Sequence, residues 1–238
     1  MAVELYVENS FLKECQANIV SMDGRFVSFN QTIFYPGGGG QPCDKGLMQQ
    51  EGQAYKVVNI RKENGEIVHE LDRPLQSRSS PVIMKIDWPW RFRNMRYHTL
   101  LHVIAGYIYQ HYKALATSSH IEKEYARIEL AFPADVIETV PFEQLDQSLK
   151  NVLAQPHDVH TTIISRKEEE KKEGAIKTVI NLLPQQLHKI RIVQIDNIDE
   201  QACGGTHVKN TKDIGDFSII KIQNKGPKKK RIKVKLID

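Results

Sequence analysis

The chain has 238 residues, with 33 Lys and Arg against 29 Asp and Glu and a net charge of +4. Its 40% hydrophobic content excludes wholesale disorder, and the length admits one large domain or two small ones. No apolar run approaches the roughly eighteen residues of a membrane-spanning helix.

The N-terminal MAVELYVENSF lacks the basic and apolar regions of a secretory signal. Cys15, Cys43 and Cys203 are too few, and odd in number, for a disulfide framework. They fit a reducing, cytoplasmic compartment.

Residues 1–86 read as a small β-barrel or sandwich domain. Asp23-Gly24, Glu51-Gly52 and Asn64-Gly65 separate short runs such as RFVSFNQTIFY, KVVNIRK and EIVHEL. Such pairs supply the positive φ that tight hairpins need. PVIMKID closes this half as a further strand. Residues 87–238 read as an α+β domain with an antiparallel sheet and helices on one face. Asp87 suits an N-cap and Pro89 a first turn, so a helix is expected from about Trp88 to Lys113. YARIELAF then reads as a strand, PFEQLDQSLKNVLAQ as a helix and DVHTTIIS as a strand. RKEEEKKEG reads as a short charged helix ended by Gly174. KIRIVQID, DFSIIKI and RIKVKLI are three more strands.

Three constellations could carry chemistry. His98 and His102 stand four apart on the expected helix, so both rings share one face. Accidental pairs at this spacing are common, and Thr99 stands where a zinc protease would carry its glutamate. Cys203-Gly-Gly-Thr-His207 places a thiol and an imidazole across a flexible glycine pair. Alone it reads as a turn with a buried cysteine. Together the two clusters make a set of three nitrogens and one sulfur, typical of Zn2+.

Thr32-Ile-Phe-Tyr-Pro-Gly37-Gly38-Gly39-Gly40-Gln41-Pro is neither a P-loop nor a dinucleotide fingerprint, so no nucleotide triphosphate or dinucleotide site is expected. It reads either as a flexible hairpin loop or as a bent strand presenting N–H groups to a ligand. The last eighteen residues hold eight basic side chains and one acidic one. Lys225, Lys228, Lys229, Lys230 and Arg231 are candidate RNA contacts. A phosphate-binding stripe and a lysine-guarded edge strand explain this charge equally well.

His98xxxHis102 with Cys203xxxHis207 resembles the editing domains of alanyl- and threonyl-tRNA synthetases. CGGTHVKNTKDIGDF at 203–217 and TIFYPGGGGQPCDKG at 32–46 resemble the alanyl branch, and the threonyl branch lacks the second motif. The helix reads HTLLH where the family commonly has HTALH or HTATH. The chain has no room for aminoacylation and tRNA-binding helical domains, so it resembles the freestanding AlaX family of medium length. That resemblance implies a zinc-dependent deacylase acting on mischarged alanine tRNA, removing serine and often glycine. It implies His98, His102, Cys203 and His207 as zinc ligands. It also implies that Thr32, Gly37, Gly38, Gly39, Gly40 and Gln41 border the amino-acid pocket. No carboxylate stands out as a general base. Two other readings stay open: an RNA-binding module with a structural zinc, and threonyl-type editing of another tRNA.

Overall fold

The computed structural model describes residues 2–169 and 189–237. The chain divides into two compact units, Met1–Met95 and Arg96–Asp238. Both are built on antiparallel sheets and the whole is mixed α+β.

Among the described residues, the first unit is built on a seven-stranded sheet. Its order is Glu14–Ala17, Val82–Ile86, Gly46–Gln50, Gln53–Glu63, Glu66–Leu71, Phe26–Phe29 and Ile19–Asp23. Two-residue turns at Glu51-Gly52 and Asn64-Gly65 join its central strands, and all four residues have φ between 49° and 82°. Those are the values a type I′ hairpin demands. The turn near Asp23 falls one residue later than expected, on Gly24-Arg25. The two end strands, Glu14–Ala17 and Ile19–Asp23, are separated in sequence by Asn18 alone. The sheet therefore curls until its ends meet at that residue. No ladder among the described residues links those ends, so the expected barrel is not closed by hydrogen bonds.

Alternation sets the inside of this unit: Ile67, His69 and Leu71 point inward from one strand. A bulge between Val57 and Asn59 shifts the neighbouring strand by one residue. Val58 is turned out to 54% exposure, and Ile60 returns to the core. Val3–Glu4 pairs in parallel with Gln31–Thr32, holding the entrance to the glycine-rich segment.

The long helix runs Trp88–Tyr112. Asp87 caps it as expected, its Oδ1 accepting from the Trp90 N–H at 3.0 Å. It ends where Lys113 takes φ 55°. The boundary between the units falls inside this helix, at Met95.

In the second unit the expected single sheet is two. One has the order Leu115–Ile121, Ala126–Ala131, Lys229–Ile237, Asp216–Asn224. The other has the order Val159–Ser165, Lys189–Ile195, Asp199–Ala202. Two of these strands escaped sequence reading. LATSSHI lacks apolar alternation, and in DEQA the buried positions are Asp199 and Gln201. Leu145–Leu153 forms the expected second helix. Arg166–Glu169 is one helical turn, and Gly174, its expected end, lies outside the described residues. No helix among the described residues is long and apolar enough to cross a membrane.

Candidate metal centre

His98 and His102 stand one turn apart on the long helix, with ring centroids 5.0 Å apart. The segment after strand Asp199–Ala202 brings Cys203 and His207 to them. Cys203 Sγ lies 3.4 Å from His207 Nε2 and 3.6 Å from His98 Nε2. The His207 ring stacks on His98 at 4.2 Å and meets His102 edge-on at 4.5 Å. All four donor atoms lie within 4.8 Å of one another. Tetrahedral bonds of about 2.3 Å to sulfur and about 2.0–2.1 Å to nitrogen would separate a sulfur and a nitrogen donor by about 3.6 Å. The residues therefore fit a metal ion in both chemistry and spacing.

The groups behind the donors fix which nitrogen each ring presents. His102 donates through Nδ1 to the buried Asp199 Oδ2 at 2.9 Å, which leaves its Nε2 as the donor atom. Gln201 Nε2 donates to the same carboxylate oxygen at 2.8 Å. His207 Nδ1 meets Thr99 Oγ1 at 3.1 Å, turning its Nε2 toward the sulfur. Arg191 Nη1 donates to the carbonyls of Cys203 and Gly205 at 2.9 and 2.8 Å, bracing the loop.

Gly106 continues the series His98, His102 by another turn. A Cβ there would lie 2.4 Å from the Ile198 carbonyl oxygen, so only glycine lets the helix approach the turn carrying Asp199. Asp199, Thr99, Arg191 and Gly106 were all missed from sequence. The spacing of Gly106 alone was a usable signal.

The ionisation of the cluster anticipates a cation. Burial would raise the Cys203 thiol, but the facing His98, His102 and His207 outweigh it and hold the thiol well below its ordinary value. Burial would lower His102, but the Cys203 thiolate and Asp199 bring it to about 9. Burial, then the facing His98 and His102, push His207 well down against the opposing pull of Cys203. A bound divalent ion would replace the protons that now balance the thiolate. Asp199→Ala should lower metal affinity by about 10–100-fold, read by competition against a chromophoric chelator. An unchanged affinity would show that His102 needs no carboxylate behind it.

Residues 190–233 match the family described as threonyl and alanyl tRNA synthetase second additional domain, and residues 4–90 match class II (A) tRNA synthetases. The chain is 36% identical to the alanyl-tRNA editing protein AlaX-M of Methanosarcina barkeri, over 100% of both chains. It is also 36% identical to the AlaX-M protein of Saccharolobus solfataricus, over 98% of both. The chain belongs to the AlaX-M family of alanyl-tRNA editing proteins. It is 31% identical to the alanine–tRNA ligase of Thermococcus kodakarensis over 92% of this chain, which covers 24% of that ligase.

The glycine-rich segment that ties the chain to the alanyl branch lies in the first unit, and there it is a clamped turn. The Gly38 N–H donates to the Gln41 carbonyl at 3.0 Å and the Gln41 N–H to the Gly38 carbonyl at 2.9 Å. Those two amides are committed to the turn, so they are not the open donors the sequence suggested. All four glycines have φ between 56° and 137°, which no other residue would adopt in succession. Beneath the turn, Asp44 accepts from the Tyr35 N–H at 2.6 Å and pairs with the fully buried Arg91.

Thr32 is wholly enclosed. Burial lowers His69 to about 4, so that ring is neutral and Thr32 can donate to its Nε2 at 3.0 Å. The Phe34 N–H donates back to Thr32 Oγ1 at 3.0 Å. Gln41 is also buried.

The basic run near the C-terminus is a hairpin in the second unit. Lys225, Lys228 and Lys229 are exposed at its turn, Lys230 lies 4.9 Å over the Phe142 ring, and Arg231 binds Glu129 through Nε at 2.7 Å. Its second strand is flanked on both sides, by Ala126–Ala131 and Asp216–Asn224. That removes the guarded-edge explanation of the charge.

Proposed function

We propose that this chain is a trans-acting aminoacyl-tRNA hydrolase that uses zinc to remove serine wrongly attached to the tRNA for alanine. The observation that carries this reading is the convergence of His98, His102, Cys203 and His207 in a chain alike from end to end to AlaX-M proteins. Three imidazoles and one thiolate are the donors zinc favours over harder cations. The three free cysteines and the reactive thiolate among them suit the reducing cytoplasm, where mischarged tRNA is met.

Ester hydrolysis needs an activated water and a stabilised oxyanion. When bound, zinc supplies a Lewis-acid centre that orients and polarises the substrate. Four protein donors fill a tetrahedral shell, so these residues suit an ion that positions more than one that generates hydroxide. Asp199 keeps the His102 proton on Nδ1, and Thr99 aligns His207. Arg191 holds the Cys203 and Gly205 carbonyls and so fixes the loop that presents the thiolate.

Selectivity follows from size. Alanine is smaller than serine, so exclusion by bulk cannot spare Ala-tRNA. The site must instead require the serine hydroxyl, and buried polar groups left unpaired can discriminate by about 10⁴–10⁵. We assign that recognition to the glycine-rich segment, with Thr32 and Gln41 as its polar groups and Gly37–Gly40 shaping its turn. Lys225, Lys228, Lys229, Lys230 and Arg231 are assigned to the tRNA.

Thr32→Val should narrow the ratio of Ser-tRNA to Ala-tRNA hydrolysis. It should also destabilise the protein by about 1–3 kcal/mol, because His69 Nε2 and the Phe34 N–H lose their partner. Thr32→Ser should preserve both. A ratio identical in all three proteins would remove Thr32 from recognition. The defining assay incubates purified protein with Ser-, Gly- and Ala-tRNA, with and without a zinc chelator. Serine release that the chelator stops, with Ala-tRNA spared, is expected. Release no faster than in buffer would leave an RNA-binding module.

A further inference from the structure

The four-stranded sheet of the second unit has one packed face and one open face. Ile128, Leu130, Ile232 and Val234 are buried on the packed side. The alternating positions turn outward. Register then lines up one residue from each strand. His120 lies opposite Arg127, Arg127 opposite Lys233, and Lys233 opposite Lys221. With strands about 4.8 Å apart, this basic row extends about 14 Å across the whole sheet. The next row reads Ser118, Glu129, Arg231, Gln223, and Lys235 faces Ser218 beyond the first.

Like charges directly opposite on neighbouring strands destabilise a sheet. Here three permanent cations, Arg127, Lys233 and Lys221, are placed that way in sequence. Lys221 reaches its position through a bulge between Ile219 and Lys221. Without it Ile220, now 48% exposed, would stand opposite Lys233. In these rows a single carboxylate, Glu129, faces five fixed cations. Its Oε1 accepts from Arg231 Nε at 2.7 Å and lies 3.9 Å from Arg127 Nη1. At one edge His120 Nε2 lies 3.6 Å from Glu122. Lys233 also rests 4.7 Å over the Tyr125 ring, which carries its long stem along the sheet.

We infer that this open face is a docking surface for the phosphate backbone of a double-helical RNA stem, which in the proposed function is that of a tRNA. The inference rests on that function for the identity of the RNA. Repeating phosphates would relieve the repulsion the row builds in, and A-form RNA offers its backbone and shape rather than its base edges to a flat surface. Along the same strand, Lys229 extends the outward series of Arg231, Lys233 and Lys235 toward the hairpin turn, whereas Lys230, opposite the buried Leu130, belongs to the packed side.

The test is a triple variant, Lys221→Ala with Lys233→Ala and Lys235→Ala, beside its all-arginine counterpart. Both are titrated against uncharged alanine tRNA and a DNA duplex of similar length across a salt series. The alanine triple should bind tRNA at least about tenfold more weakly at low salt. The slope of its log affinity against log salt should be shallower by about two to three. The arginine triple should match the parent protein. The alanine triple should keep its circular dichroism and metal content and melt no lower than the parent, since it sheds like-charge contacts. Unchanged tRNA affinity and slope would overturn the inference, as would equal affinity of the parent for the DNA duplex. A parent protein that binds tRNA through this face yet leaves Ser-tRNA intact would uphold the face and remove the editing reading.

Discussion

Cys203→Ala should abolish stoichiometric metal binding and lower Ser-tRNA hydrolysis by at least about 100-fold. Loss of a group merely supporting a ligand already costs about 10–100-fold in affinity or activity, and a ligand is worth no less. The thiolate is also the one negative donor of the set, and the three imidazoles facing it hold it ionised. Without it, His98, His102 and His207 would crowd any cation with no charge to offset it. Metal content by elemental analysis and single-turnover release of labelled serine are the measurements. A variant that binds no metal yet hydrolyses at the parent rate would show that the ion has no part in the reaction. Metal uptake should also release protons and weaken as pH falls, because His102, near 9 without the ion, must give up its ring proton.

Arg91→Leu should destabilise the first unit by about 3–5 kcal/mol, because it leaves the carboxylate of Asp44 buried without its partner. Arg91 does more than pair. Its Nη1 donates to the Ser10 carbonyl at 2.8 Å and its Nη2 to the Ile33 carbonyl at 2.6 Å. It thus ties three separate stretches beneath the glycine-rich turn, and the same carboxylate holds the Tyr35 N–H. In a chain of this size the expected loss in melting temperature is about 6–20 °C. Replacing Asp44 and Arg91 together by apolar residues should recover part of it, because no isolated charge then remains. Thermal melts of both variants decide the matter. A single variant as stable as the parent would mean that water reaches Asp44.

How much of this was legible in the residues differs from feature to feature. Asp87, Pro89 and the helical spacing placed the long helix, because capping and periodicity are local. Gly52 and Gly65 marked their hairpins, because positive φ excludes most side chains. His98 with His102, and Cys203 with His207, announced a ligand set by residue type alone. The strands Leu115–Ile121 and Asp199–Ala202 stayed hidden, since their pairing comes from neighbours distant in sequence and not from their own polar residues.

By itself, the order of residues determined which side chains could bind an ion, and where helix and turns begin. Only tertiary structure decided that Asp199 stands behind His102, that Arg91 underlies the glycine turn, and that the basic strand lies inside a sheet rather than at its edge. The physical reason is common to all three. Each depends on partners far apart in the chain, and no local propensity records which of the many compatible partners packing and register will bring together.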